Sequence, residues 1–138
     1  TAVLKLTYQT CQELTNSSMK FAFEDLKVWQ KSICMVKDVY IITKSFPQEE
    51  KYGITSQIRR SALSVTCNLA EGSGKITGKD KANFSAIAYG SLMETINLMI
   101  VAHEVEMVSK EKLDELRSQI SEISRMLSGL RNSQLKEN

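Results

Sequence analysis

Residues 110–130 read KEKLDELRSQISEISRMLSGL, and their spacing decides how the rest of the chain is read. Leu113, Leu116, Ile120, Ile123, Leu127 and Leu130 recur at alternating steps of three and four, with charged and polar residues between them. That is one apolar seam on an amphipathic helix, and such a seam needs other helices to cover it. The same period recurs upstream. From Asp25 onward, Leu26, Trp29, Ile33, Val36 and Tyr40 form a heptad-like seam, and Val28, Met35, Val39 and Ile42 form a second stripe about 120° around the same helix. Ser45-Phe46-Pro47-Gln48 holds the only proline and turns the chain. After Gly53, Ile54, Ile58, Ala62, Val65 and Leu69 share one face of a second helix, expected to end at Gly72 as a left-handed terminator. Thr77 followed by Asp80 resembles a capping box opening a third helix, about 79–108. That helix is apolar on two sides. Phe84, Ile87, Ala88, Ser91, Thr95, Leu98 and Ala102 make one stripe, and Ala86, Tyr89, Met93, Ile96 and Ile100 the other. Four helices with short links predict an all-α, antiparallel up-down four-helix bundle over residues 19–131, with 132–138 as a tail.

The composition agrees with one domain of this kind. Of 138 residues, 42% are hydrophobic and 25% charged, too apolar for disorder, and six glycines with one proline are too few for a turn-rich all-β chain. The net charge of +2 does not mark a nucleic-acid binder by bulk electrostatics. The longest uninterrupted apolar run is Leu98 to Ala102, so no membrane span and no membrane partner are expected. Residues 1–18, ending in the glycosylation-like Asn16-Ser17-Ser18, are expected to be an extension outside the core, without a signal peptide. Cys11, Cys34 and Cys67 form no CxxC pair and are expected to be free thiols in the cytoplasm.

Catalytic patterns fail on specific positions. His103 is the only histidine, with Ile100 where a di-iron bundle needs Glu, and His103-Glu104 lacks the second His of a zinc protease helix. The Gly72–Lys79 loop fails as a phosphate loop, with Ser73 in place of Gly and Asp80 in place of Ser or Thr. No enzyme activity, cofactor or metal is therefore expected.

Three surface features remain. Gln57, Arg60, Ser64, Asn68 and Glu71 share a polar face of the second helix, and Gly90, Glu94 and Asn97 lie together on the third. Arg60 is expected to pair with Glu94 or Glu71, within the bundle or across a subunit boundary, and Gly90 to admit another backbone. Surplus apolar stripes on the first and third helices point to self-association through Val28, Met35, Val39, Ile42, Tyr89, Met93, Ile96 and Ile100. Residues 52–82 carry five basic groups against two acidic ones, net +3, whereas 83–138 are net −2. Arg59, Arg60, Lys75, Lys79 and Lys81 are thus the candidate phosphate contacts, with no aromatic residues interleaved for base stacking.

A family resemblance enters on a long ordered set of residues. Phe23-Glu24-Asp25-Leu26, Val28-Trp29-Gln30, Val39-Tyr40, Phe46-Pro47, Glu50 and Tyr52-Gly53-Ile54 begin it. Gln57-Ile58-Arg59-Arg60-Ser61-Ala62, Ser64-Val65, Asn68-Leu69-Ala70-Glu71-Gly72, Phe84, Ile87-Ala88, Gly90-Ser91-Leu92 and Glu94 continue it. In this order and spacing they resemble the four-helix bundle family of 23S rRNA intervening-sequence proteins, over about Phe23 to Leu130. Ile54 stands where that family more often has Leu. The resemblance implies a bundle commonly assembled as a homopentamer, without known enzymatic activity. It also implies a distant relation to the accessory protein of diversity-generating retroelements, a pentamer that binds nucleic acid and a reverse transcriptase. It favours a structural or interface role for Arg59, Arg60, Asn68, Glu71, Gly72 and Glu94. The expected function is a homo-oligomeric, pentameric bundle that binds RNA or a nucleic-acid-processing protein; the alternative is a protein-interaction scaffold.

Overall fold

The computed structural model describes residues 19–137. Its helices are α1 (Lys27–Thr43), α2 (Ile54–Ser73), α3 (Gly78–Glu104) and α4 (Lys110–Leu135), with 3₁₀ turns at Ala22–Asp25 and Gln48–Glu50. α2 packs along α1 and α3, and α4 packs along α3 and α1, while the diagonal pairs stay apart among the described residues. Ser61 meets Thr95 and Ser64 meets Ser91, pairs that advance in opposite directions, so α2 and α3 are antiparallel. The expected all-α four-helix bundle is the architecture observed.

The α4 seam behaves as read. Leu113, Leu116, Ile120, Ile123 and Leu127 are buried, each contributing roughly 1.5–3 kcal/mol by leaving water. On α1 the expected roles of the two stripes are reversed. Val28, Met35, Val39 and Ile42 are core, because α2 and α4 flank α1 and this arc faces the bundle axis. Their assignment as oligomer contacts is therefore corrected. Leu26, Trp29 and Val36 pack against the core from its edge, only partly buried. Trp29 there meets Phe23 edge-on, with ring centroids 5.2 Å apart. On α3 the core line takes Ala88, Thr95 and Ala102 from the first expected stripe and adds Leu92 and Met99, which belonged to neither.

Helix ends differ from expectation for local reasons. Gly72 lies inside α2 without a positive φ. A Cβ there would sit 2.8 Å from Phe84 Cβ, so the glycine serves close α2–α3 packing rather than termination. α3 opens on the expected cap, with Thr77 Oγ1 accepting from the Asp80 N–H at 3.1 Å. It stops at Glu104, where Glu106 turns the chain with φ 64° and His103 Nδ1 lies 2.9 Å from the Val108 carbonyl. α4 runs on to Leu135, past the expected boundary at 131, because its last turn is pinned to α3. There Ser85 Oγ donates to Gln134 Oε1 at 2.6 Å, and Gly78 packs against the Gln134 carbonyl.

Cys67 is a free, exposed thiol. Cys34 is disulfide-bonded, which corrects the expectation of free thiols throughout. Cys11, the Asn16 sequon and the expected extension over 1–18 lie outside the described residues. By length and composition α3 alone among the described residues is apolar enough to cross a membrane, a measure that the central helix of a bundle also meets. In the bundle it is flanked by α2 and α4, yet only 28% of its most apolar window is buried.

Candidate functional site

The first candidate surface is the bundle end where α2 and α4 finish and α3 begins. Lys75, Lys79 and Lys81 meet here, as charge counting along the chain anticipated. Their availability differs. Lys81 Nζ is 3.1 Å from Glu137 Oε2, and Lys75 Nζ lies 5.0 Å from the Phe84 ring centroid. Lys79 is exposed and makes no ion pair among the described residues.

The two arginines are not part of this end. They sit in the first turns of α2, about 20 Å away along its axis at 1.5 Å per residue. Arg59 Nε donates to Thr43 Oγ1 at 2.8 Å, and its guanidinium lies 4.6 Å from the Tyr40 ring centroid. It clasps α2 to α1 and is not a free phosphate contact. Arg60 is exposed. Aromatic surface missing from the local sequence is supplied by the fold. Ala22 lines a cleft with Lys81 at the lysine end, and the adjacent Phe21 is 72% exposed.

The polar face of α2 divides in two. Ser64 and Asn68 turn toward α3: Ser64 Oγ is 2.7 Å from Ser91 Oγ, and Asn68 Nδ2 donates to the Ser64 carbonyl at 2.8 Å and to its Oγ at 3.0 Å. Deeper, the Ser61 and Thr95 hydroxyls are 2.8 Å apart. This ladder of small polar side chains joins the two helices. Gln57, Arg60 and Glu71 remain exposed, as do Gly90, Glu94 and Asn97 on α3.

The expected ion pair of Arg60 with Glu94 or Glu71 does not form within the chain, because all three point outward. Nor, among the described residues, does another element approach Gly90, where an added Cβ would meet nothing within 4 Å. Elsewhere on α3 and at its C-cap, Ile87, Val101 and Val105 are 45%, 42% and 58% exposed. Met93, Ile96 and Ile100 pack against the core from its edge, and Tyr89 is 38% exposed. The apolar surplus of α3 thus centres on Ile87, Val101 and Val105. The sequence reading had placed Ile87 on a stripe with core residues and the other two on neither.

One titratable group is displaced. Asp38, half-buried on α1, is held above the ordinary aspartate range by burial. A hydrogen bond from Gln119 opposes the shift and Glu115 adds to it; the Gln119 amide nitrogen reaches Asp38 Oδ2 at 3.2 Å in the orientation that satisfies both amide atoms. No group of three or more His, Cys, Asp or Glu among the described residues is placed to hold a metal ion.

Residues 24–129 match the family model described as 23S rRNA-intervening sequence protein. A crystal structure from Bacteroides thetaiotaomicron VPI-5482, of a protein with unknown function from the S23 ribosomal protein family, is similar at TM-score 0.70 and 23% identity. The similarity covers 76% of this chain and 95% of that one and bears on the fold alone. No curated protein matches the sequence.

Proposed function

The chain belongs to the 23S rRNA-intervening sequence protein family, and on that premise we propose that it is a non-catalytic, self-associating helical bundle, assembled as a pentamer, that presents its lysine end to RNA. The outer surface of α3 carries the reading. This helix is the most apolar of the four, yet only 28% of its most apolar window is buried, and Ile87 and Val101 remain exposed along the helix that also carries the bare backbone of Gly90. Apolar side chains left exposed along one helix face are the kind of surface an interface would cover. Arg60 on α2 and Glu94 on α3, opposite in charge and in no ion pair among the described residues, offer complementary charges that neighbouring copies in a ring could join. Pairing across such a boundary would set register more than stability, since the desolvation cost offsets much of the attraction.

The RNA half of the proposal rests on repetition. One copy offers Lys75 and Lys79 as point charges, which is weak. A closed ring multiplies them on one rim, where clustered positive potential attracts phosphate without reading sequence. The reading sets the chain in the cytoplasm.

The test is a titration of the purified chain with structured RNA at several salt concentrations. The proposal expects affinity to fall steeply with salt and to be lost in Lys75→Glu/Lys79→Glu. Lys81→Glu is a poorer probe because Glu137 already neutralises that lysine. Absence of binding at low salt removes RNA and leaves a protein-interaction scaffold.

A further inference from the structure

A groove between α3 and α4 belongs to neither surface described above. It encloses about 410 Å³, with Tyr89 on the α3 side, Ser128, Arg131 and Asn132 on the α4 side, and Leu127 in its floor. That volume lies within the range of small-ligand sites, roughly 300–1,000 Å³. No carboxylate lines the groove, and its one charge is the Arg131 guanidinium, which makes no ion pair among the described residues. The walls are held together, because the Ser85–Gln134 hydrogen bond ties α4 to α3 beside the groove. Tyr89 stands on α3 between the buried Ala88 and Leu92 in sequence and is 38% exposed. An aromatic face, a planar cation and short polar side chains therefore converge from two helices on one anion-accepting cleft. The cleft opens near the lysine end, where Lys79 and Lys136 are exposed.

We propose that this groove holds one unpaired ribonucleotide of a bound RNA. The base stacks on Tyr89, the phosphate meets the Arg131 fork, and Ser128 and Asn132 hydrogen-bond the ribose or the base edge. The inference rests on the RNA-binding reading and gives it a specific seat. Stacking on an aromatic face is tolerant of base identity, so the groove adds affinity for single strands without a sequence code. Arginine suits the phosphate because its planar N–H groups donate to two oxygens at once. Exposed Lys79 and Lys136 continue the positive track for the neighbouring phosphates.

The test is fluorescence anisotropy with a labelled single-stranded oligoadenylate and the full chain across a salt series. Tyr89→Ala weakens binding roughly 5- to 150-fold, the effect of losing one stacked base, whereas Tyr89→Phe keeps the ring and stays within about twofold of the parent. Arg131→Gln lowers the slope of log affinity against log salt by about 0.7, the value for one phosphate of a single strand. Melting temperature and assembly mass are unchanged in all three variants. Unaltered binding by Tyr89→Ala overturns the inference, and so does a fall in its assembly mass, which would make Tyr89 a subunit contact. If Lys75→Glu/Lys79→Glu abolishes binding while the groove variants bind normally, the groove fails and the lysine-end reading stands. If the parent chain binds neither oligoadenylate nor structured RNA at low salt, both fail.

Discussion

Replacing Gly72 by alanine measures how tightly α2 and α3 are held, and Gly129→Ala supplies the standard. Both glycines are helical, Gly72 in α2 and Gly129 in α4. A Cβ at Gly129 would meet nothing within 4 Å, so alanine there keeps its full helix-propensity gain of about 0.8–1 kcal/mol. A Cβ at Gly72 would lie 2.8 Å from Phe84 Cβ. Carbon atoms prefer roughly 3.5–4.0 Å, and Phe84 Cβ cannot rotate away because it is bonded to the α3 backbone. Relief therefore requires α3 to withdraw by about 1 Å, which strains the Ser64–Ser91 contact two turns further along. Overpacking of this kind costs about 1–3 kcal/mol, against a propensity gain that is small in the last turn of α2. The two variants should differ by about 2 kcal/mol, with Gly129→Ala the more stable. Urea denaturation followed by helical circular dichroism measures this directly, provided the slopes agree. Equal stability of the two variants would refute the packing role assigned to Gly72.

Three further outcomes are expected. Leu92→Ala removes a fully buried side chain from the α3 core line and should destabilise the chain by about 2–5 kcal/mol in the same denaturation assay. Asp38→Asn should raise the melting temperature at neutral pH. Burial lifts the folded pKa of this acid, so its ionisation cost is fully present above that raised value and is lost as pH falls below the ordinary aspartate range; near about pH 3 the variant should gain nothing. Glu106→Gly relieves a left-handed φ of 64° and should stabilise by about 1 kcal/mol in thermal melts, whereas a loss would assign the Glu106 side chain a contact of its own.

The bundle was legible because α4 has one seam, and a single seam admits one orientation. α1 and α3 were harder for a physical reason. Apolar residues lie around much of each helix, so which arc faces inward depends on where neighbouring helices sit, and no local period encodes that. Val28, Met35, Val39 and Ile42 consequently look like surplus surface in one dimension and are core in three. Leu92 and Met99 fall between the visible stripes and carry the α3 core. Net charge was read correctly as a sum, but α2 converts the interval from Arg60 to Lys75 into about 20 Å and divides the basic residues between two ends. Asn68 and Ser64 were recognised as one polar face, yet their partner, Ser91, is visible only once α3 lies alongside. Tyr89 and Arg131 line one groove from two different helices, where no spacing rule within one helix can reach.

Self-association through the open face of α3 is the claim on which the rest depends, and the mass of the purified chain by light scattering at micromolar concentration tests it most directly. The account predicts a single species of about five times the 15.5 kDa chain mass. It also predicts that Ile87→Glu/Val101→Glu lowers that mass while the helical signal is retained, because both side chains are already exposed within the chain. A monomeric mass across that concentration range would contradict it.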